Sequence, residues 1–213
     1  MTEPDVALTD YGLAIECALF TYLLHRQGSL QRQLKTWFML FFMSVGVGAL
    51  TGGTVHGFFL NEATAGYAVL WPATLLAIGV TALATWTIGA KIQFTTATAR
   101  WITIVAAAGF VGYCGVVLFV TQDFFVAIVN YLPAVSFLLL VFLHLYLRTR
   151  ERLVLFGLVG LALILVASWV QHNRIALHPI YFNHNAFYHL IQAVALFLIF
   201  YGSRWFMMTE TTK

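Results

Sequence analysis

Apolar stretches of about 20 residues recur seven times along this chain, and a stretch of that length is what a hydrocarbon core roughly 30 Å thick requires of a helix. They fall at approximately residues 9–25, 36–60, 66–89, 99–121, 124–147, 152–170 and 185–206. Of the 213 residues, 61% are hydrophobic and 9% charged, so a water-soluble fold would have nowhere to hide its apolar side chains. The sequence therefore predicts an all-α polytopic membrane protein, a single seven-helix bundle spanning residues 1–213. A cytosolic enzyme, a disordered tail and a nucleic-acid binder are excluded. Cys17 and Cys114 both lie inside apolar runs, which leaves no disulfide framework and no cysteine zinc knuckle.

Direction follows from the basic residues, because Lys and Arg near span ends are retained on the cytoplasmic side. All of them except Arg174 fall in one set of alternate loops and the C-terminal tail. The N-terminus is thus expected outside and the C-terminus in the cytoplasm, in a plasma membrane or a bacterial inner membrane. The opening MTEPDVALTD is acidic and lacks the basic stretch of a secretory leader, so the first span is expected to persist as a helix, with no soluble domain appended at either end. No internal repeat divides the chain. Ser44, Gly48, Gly52 and His56 form an i, i+4 stripe for close helix packing, and Gly109, Gly112, Gly115, Gly157 and Gly160 read as similar contact points.

Polar side chains inside spans are costly toward lipid and should face the bundle interior. Taking Asp10 as the outer edge of the first span, a rise of 1.5 Å per residue puts Glu16 about 9 Å deep. The same arithmetic puts His56 about 7–8 Å below Asn61, and His189 about 9 Å below the helix cap Asn183. Asn130 falls in the same layer, so Glu16, His56, Asn130, Asn185 and His189 are expected in one plane of the outer leaflet. Asn185, His189 and Gln192 also mark one polar face of the last span. Neutral imidazoles beside a carboxylate are a usual means of holding zinc, and zinc with an open position supplies hydroxide near neutral pH. Such a site would hydrolyse lipid amides or esters that arrive from the bilayer. The plainer reading is that each histidine only hydrogen-bonds a neighbouring helix.

The segment YFNHNAFYHLIQA at 181–193 resembles the start of the seventh helix of the alkaline ceramidases, members of the CREST superfamily of seven-helix membrane hydrolases. That family opens helix 7 with His-x-x-x-His and carries a third zinc-binding histidine late in helix 2, four residues after a serine. His189 matches the second of the paired histidines and His56 the helix 2 ligand, while Glu16 in IECALF looks like the family's helix 1 glutamate. Asn185 stands where the first paired histidine would be, and Gly52 where the serine would be. The resemblance implies a zinc-dependent lipid hydrolase with His56, His189 and His184 as metal ligands and Glu16 as catalytic acid/base. Asn185, Gln192, Tyr188 and Asn130 would contact the substrate. His184 and His189 lie about 140° apart around a regular helix, so they can share an ion only if His184 sits in a non-helical cap.

Four other readings bear on this chain. A retinal pigment fails, because Lys35, Lys91 and Lys213 all lie outside the spans. A haem could be held by His56 and His189, and a small transporter could use Pro72 and Pro133 as helix breaks. A catalytically inactive relative that binds or senses lipid is the fourth possibility, because Asn185 and Gly52 are what loss of the metal would look like.

Overall fold

A computed structural model describes residues 1–178 and 181–209. The chain forms α1 (Pro4–Arg26), α2 (Arg32–Phe58), α3 (Ala65–Gln93), α4 (Thr96–Phe119), α5 (Phe124–Thr149), α6 (Arg152–His172) and α7 (His184–Met208). All seven are long and apolar enough to cross a membrane. Among the described residues there is no strand, only an isolated His178–Phe182 bridge between α6 and α7. Ile15, Val69, Trp101, Val111 and Phe119 stand exposed on the outer surface, an arrangement that suits hydrocarbon and not water.

Six helices close a ring, with α1 on α2, α2 on α3, α3 on α5, α5 on α6, α6 on α7 and α7 back on α1. Helix α4 lies outside it against α3, where Gly79 leaves room for the Tyr113 ring and Tyr113 Oη donates to the Leu75 carbonyl at 2.8 Å. The glycines divide accordingly. Gly160 meets the Ala195 carbonyl and the Ile199 backbone, and Gly202 meets Gly157, so α6 and α7 touch backbone to backbone. In α2, Gly48 and Gly52 face α3, and Ser44 hydrogen-bonds Thr81 at 2.8 Å. Gly109, Gly112 and Gly115, expected as contact points, would meet nothing with an added Cβ, because α4 packs through Phe110, Tyr113 and Val117 instead.

The largest departure from the sequence reading is where α1 begins. It starts at Pro4, not near residue 9, with proline in the first turn where its missing N–H costs nothing and Asp5 placed against the positive end of the helix dipole. The Thr2 and Glu3 amides donate to the Gly57 and His56 carbonyls at 3.0 and 3.2 Å, and Asp5 Oδ2 accepts from the Asn183 amide at 3.0 Å. Polar Asp5, Thr9 and Asp10 conceal this turn from a hydropathy reading. Asp10 therefore lies six residues inside the helix, about 9 Å along its axis, and Glu16 twelve residues inside, about 18 Å.

The two ends of the ring differ. The end away from the N-terminus is filled by rings, among them Phe20, Phe38, Phe41, Phe42, Phe142, Phe200 and Phe206. Phe20 stacks on Phe200 at 4.5 Å, and Phe42 meets Phe20 edge-on at 5.4 Å. Gln31 Nε2 donates to the Thr209 carbonyl at 2.9 Å and Lys91 Nζ to Gln33 Oε1 at 3.0 Å, tying the basic helix ends together. The other end is hollow.

Candidate functional site

A cavity of about 810 Å³ opens inside the ring at the end that carries the N-terminus, lined by residues of every ring helix and none of α4. Its polar wall holds Asp10 from α1, His56 from α2, Gln171 from α6, and Asn185, His189 and Gln192 from α7. Leu13, Val45, Ala49, Ile78, Ile128 and Leu132 supply apolar lining. One polar group is nearly sealed from the surface: Asp10 is 5% exposed.

Asp10 is close to α2 because Gly53 carries no side chain there; a Cβ on Gly53 would fall 2.6 Å from that of Asp10. From this position Asp10 Oδ1 lies 3.3 Å from His189 Nε2. The other ring nitrogen, Nδ1, is 3.1 Å from Thr9 Oγ1, and that hydroxyl is also 2.9 Å from the Asp5 and Val6 carbonyls. A hydroxyl has one hydrogen, so Thr9 either donates it to Nδ1 or donates it to a carbonyl and accepts from a protonated Nδ1. The cluster thus satisfies the imidazole in its neutral and its cationic form, with only a hydroxyl rotation between them. Nearer the rim, His56 Nδ1 is 2.6 Å from Glu3 Oε2. The His56 and His189 rings share the cavity wall.

Of the residues singled out by sequence, His56, His189, Asn185, Tyr188 and Gln192 line this cavity together. Asn185 Oδ1 accepts from Gln171 Nε2 at 3.4 Å, which turns it toward α6. Glu16, Asn130 and His184 are not on the cavity wall. Glu16 shares the α1 face of Thr9 and Phe20, which touch His189 and Phe200 of α7, so it sits in the α1–α7 seam, where Oε2 has no hydrogen-bond partner among the described residues. Its expected level was counted from Asp10; with α1 starting at Pro4, Asp10 occupies that level instead. Asn130 shares the α5 face of Phe137, whose ring stacks on Trp86 of α3 at 4.8 Å, and its Nδ2 is likewise unpaired. His184 is the first residue of the regular helix α7, not a non-helical cap residue; the cap is Asn183, which accepts from the Asn185 and Ala186 amides at 2.9 and 3.1 Å. The helical phase then turns His184 away from His189.

The geometry assigns zinc no ligand trio. Among the described residues no group of three or more His, Cys, Asp or Glu side chains is assembled that can hold a metal ion. A catalytic zinc takes three protein ligands and an open position, whereas here His56 faces Glu3 and His189 faces Asp10. Sequence reasoning missed Asp10, Thr9 and Glu3. The signal that would have found them was Pro4 followed by Asp5, a helix-start pattern that moves Asp10 from the rim to the interior.

The profile of one family matches residues 6–208, a span that includes Asp10, His56 and His189. The chain belongs to DUF6962, a family of unknown function. No curated protein and no solved structure matches the chain.

Proposed function

We propose that this DUF6962 member is a multi-pass membrane protein, N-terminus outside, that binds one amphipathic, lipid-like molecule in the ring cavity. The head would lie against Asp10, His56, His189 and Gln192 in the outer leaflet, and the chain against the apolar lining below. The observation that carries this reading is the polarity of the cavity itself: titratable and amide groups from α1, α2, α6 and α7 share one space with an apolar lining, a volume within the range of small-molecule sites. The orientation rests on the basic residues, which crowd the far end and leave only Arg174 on the cavity side.

No Lys or Arg lines the cavity, while the carboxylate of Asp10 does. An anionic head would find no permanent cation to offset its desolvation, so a neutral head rich in hydrogen-bonding groups is favoured. N-oleoylethanolamine and oleate, titrated into the purified protein and followed by native mass spectrometry, separate these cases. Saturable binding at least tenfold tighter for N-oleoylethanolamine supports the reading; no saturable binding of either, or tighter binding of oleate, overturns it.

A metal-dependent lipid amide or ester hydrolase is the second reading, favoured by two imidazoles on α2 and α7 facing one cavity beside a carboxylate. Elemental analysis decides it. Stoichiometric zinc in the native protein, lost in both His56→Ala and His189→Ala, would establish the metal centre.

A further inference from the structure

Resting on the binding reading above, we propose that the seam between α5 and α6 at the cavity end is a lateral portal through which the acyl chain of a bilayer lipid reaches the cavity. The two helices are joined at one end and parted at the other. Toward the basic end the Phe142 ring lies where a side chain on Gly157 would have to go, and Leu138, Leu161 and Ile164 are fully buried in the same core cluster. Above that level the facing stripes behave differently.

On α5, Phe125, Ile128 and Leu132 recur at three and four residues; on α6, Leu165 and Trp169 are separated by four. All five line the cavity. Yet Phe125 is 63%, Leu132 37% and Trp169 60% exposed, far more than Asp10 on the opposite wall at 5%. A side chain that borders an internal cavity and is also open to the surroundings marks a gap in the wall. These residues are large and apolar, so the gap is framed for hydrocarbon and not for water.

The fold also supplies a hinge at the lower edge of the gap. Pro133 lies inside α5 one residue past Leu132 and cannot donate to the Val129 carbonyl, so the Phe124–Leu132 segment is joined to the rest of α5 with one backbone hydrogen bond fewer. The top of that segment is tethered toward α3: Trp71 Nε1 donates to the Gln122 carbonyl at 2.9 Å, and the Trp71 and Phe124 rings lie 6.1 Å apart. With the top of the segment held to α3, bending at Pro133 would act on the α6 seam.

The test places a cysteine on the far wall of the cavity, Thr81→Cys on α3, in a chain with Cys17→Ala and Cys114→Ala. The protein is reconstituted in phosphatidylcholine vesicles and exposed to hexadecyl methanethiosulfonate, which is confined to the bilayer. A control cysteine at Val111, 69% exposed on α4, reports labelling from open lipid. The portal predicts that Ser168→Phe or Leu165→Trp, which fill the seam, slow labelling at residue 81 at least tenfold and leave residue 111 unchanged. Pro133→Ala, which restores the backbone bond, slows it severalfold. Unchanged labelling at residue 81 in both seam-filling variants overturns the portal, and if N-oleoylethanolamine still binds the native chain, the binding reading survives that result. Failure of the native chain to bind N-oleoylethanolamine overturns the binding reading and the portal with it.

Discussion

The two ends of one helical ring solve opposite problems with the same helices. At the basic end, phenylalanines from α1, α2, α5 and α7 stack and interlock, and glycines let α6 and α7 meet at backbone distance. At the other end the same helices stand around a cavity of about 810 Å³ and present Asp10, His56 and His189 to it. Stability is concentrated where the ring is filled, which frees the hollow end to hold buried polar groups that a packed core would not tolerate. The lesson is that one ring of apolar helices can divide these tasks between its two ends.

Substitutions sharpen this contrast in graded steps. The largest effect is expected at the filled end: Phe42→Ala, which removes a fully buried ring packed edge-on against Phe20 and Phe41, should cost about 3–5 kcal/mol. Reversible denaturation in mixed micelles reads this directly, and a loss below 1 kcal/mol would deny that end its role. Next comes Gly53→Ala, which forces α1 from α2 at Asp10. A cost of about 1–3 kcal/mol is expected, together with loss of amphiphile binding. Because Phe42→Ala should weaken the fold while sparing affinity in the molecules that remain folded, the two variants separate the ends by readout as well as by size.

Asp10→Asn keeps the shape of the side chain and replaces its titratable carboxyl with a neutral amide. Stability should fall by about 1–3 kcal/mol as the His189 pair is weakened, and the preference for N-oleoylethanolamine over oleate should shrink. An unchanged preference would show that Asp10 does not set the field of the cavity. The smallest effect is expected outside the ring, where Gly112→Ala meets open space on α4 and should change stability by no more than about 1 kcal/mol, in the stabilising direction.

Helix number and the clustering of basic residues at one end were legible from the sequence, because twenty-residue apolar runs and loop charges are strong, local signals. His56 and His189 line one cavity, and the depth of His189 was counted from the true cap Asn183; that of His56 was counted from Asn61, whereas α2 ends at Phe58, which leaves His56 two residues from the helix end and nearer the rim. The place of Asp10 was not legible. Its depth depended on where α1 begins, and a polar first turn held by Pro4, by hydrogen bonds to the end of α2 and by the Asn183 amide carries no hydropathy signal. Glu16 was placed at too shallow a level because its depth was counted from Asp10, and for Asn130 depth along the helix did not reveal which neighbour it turns toward; that is decided by the ring order, in which α4 is left outside.

The central claim is that the Asp10–His189 layer and the cavity beneath it hold one amphiphile. Native mass spectrometry of the protein released from its own membrane, without added lipid, tests this most directly. The account predicts a single adduct of lipid-like mass on the native chain that disappears in His189→Ala while the variant remains folded. A native chain with no adduct, or an adduct retained undiminished in His189→Ala, would contradict it.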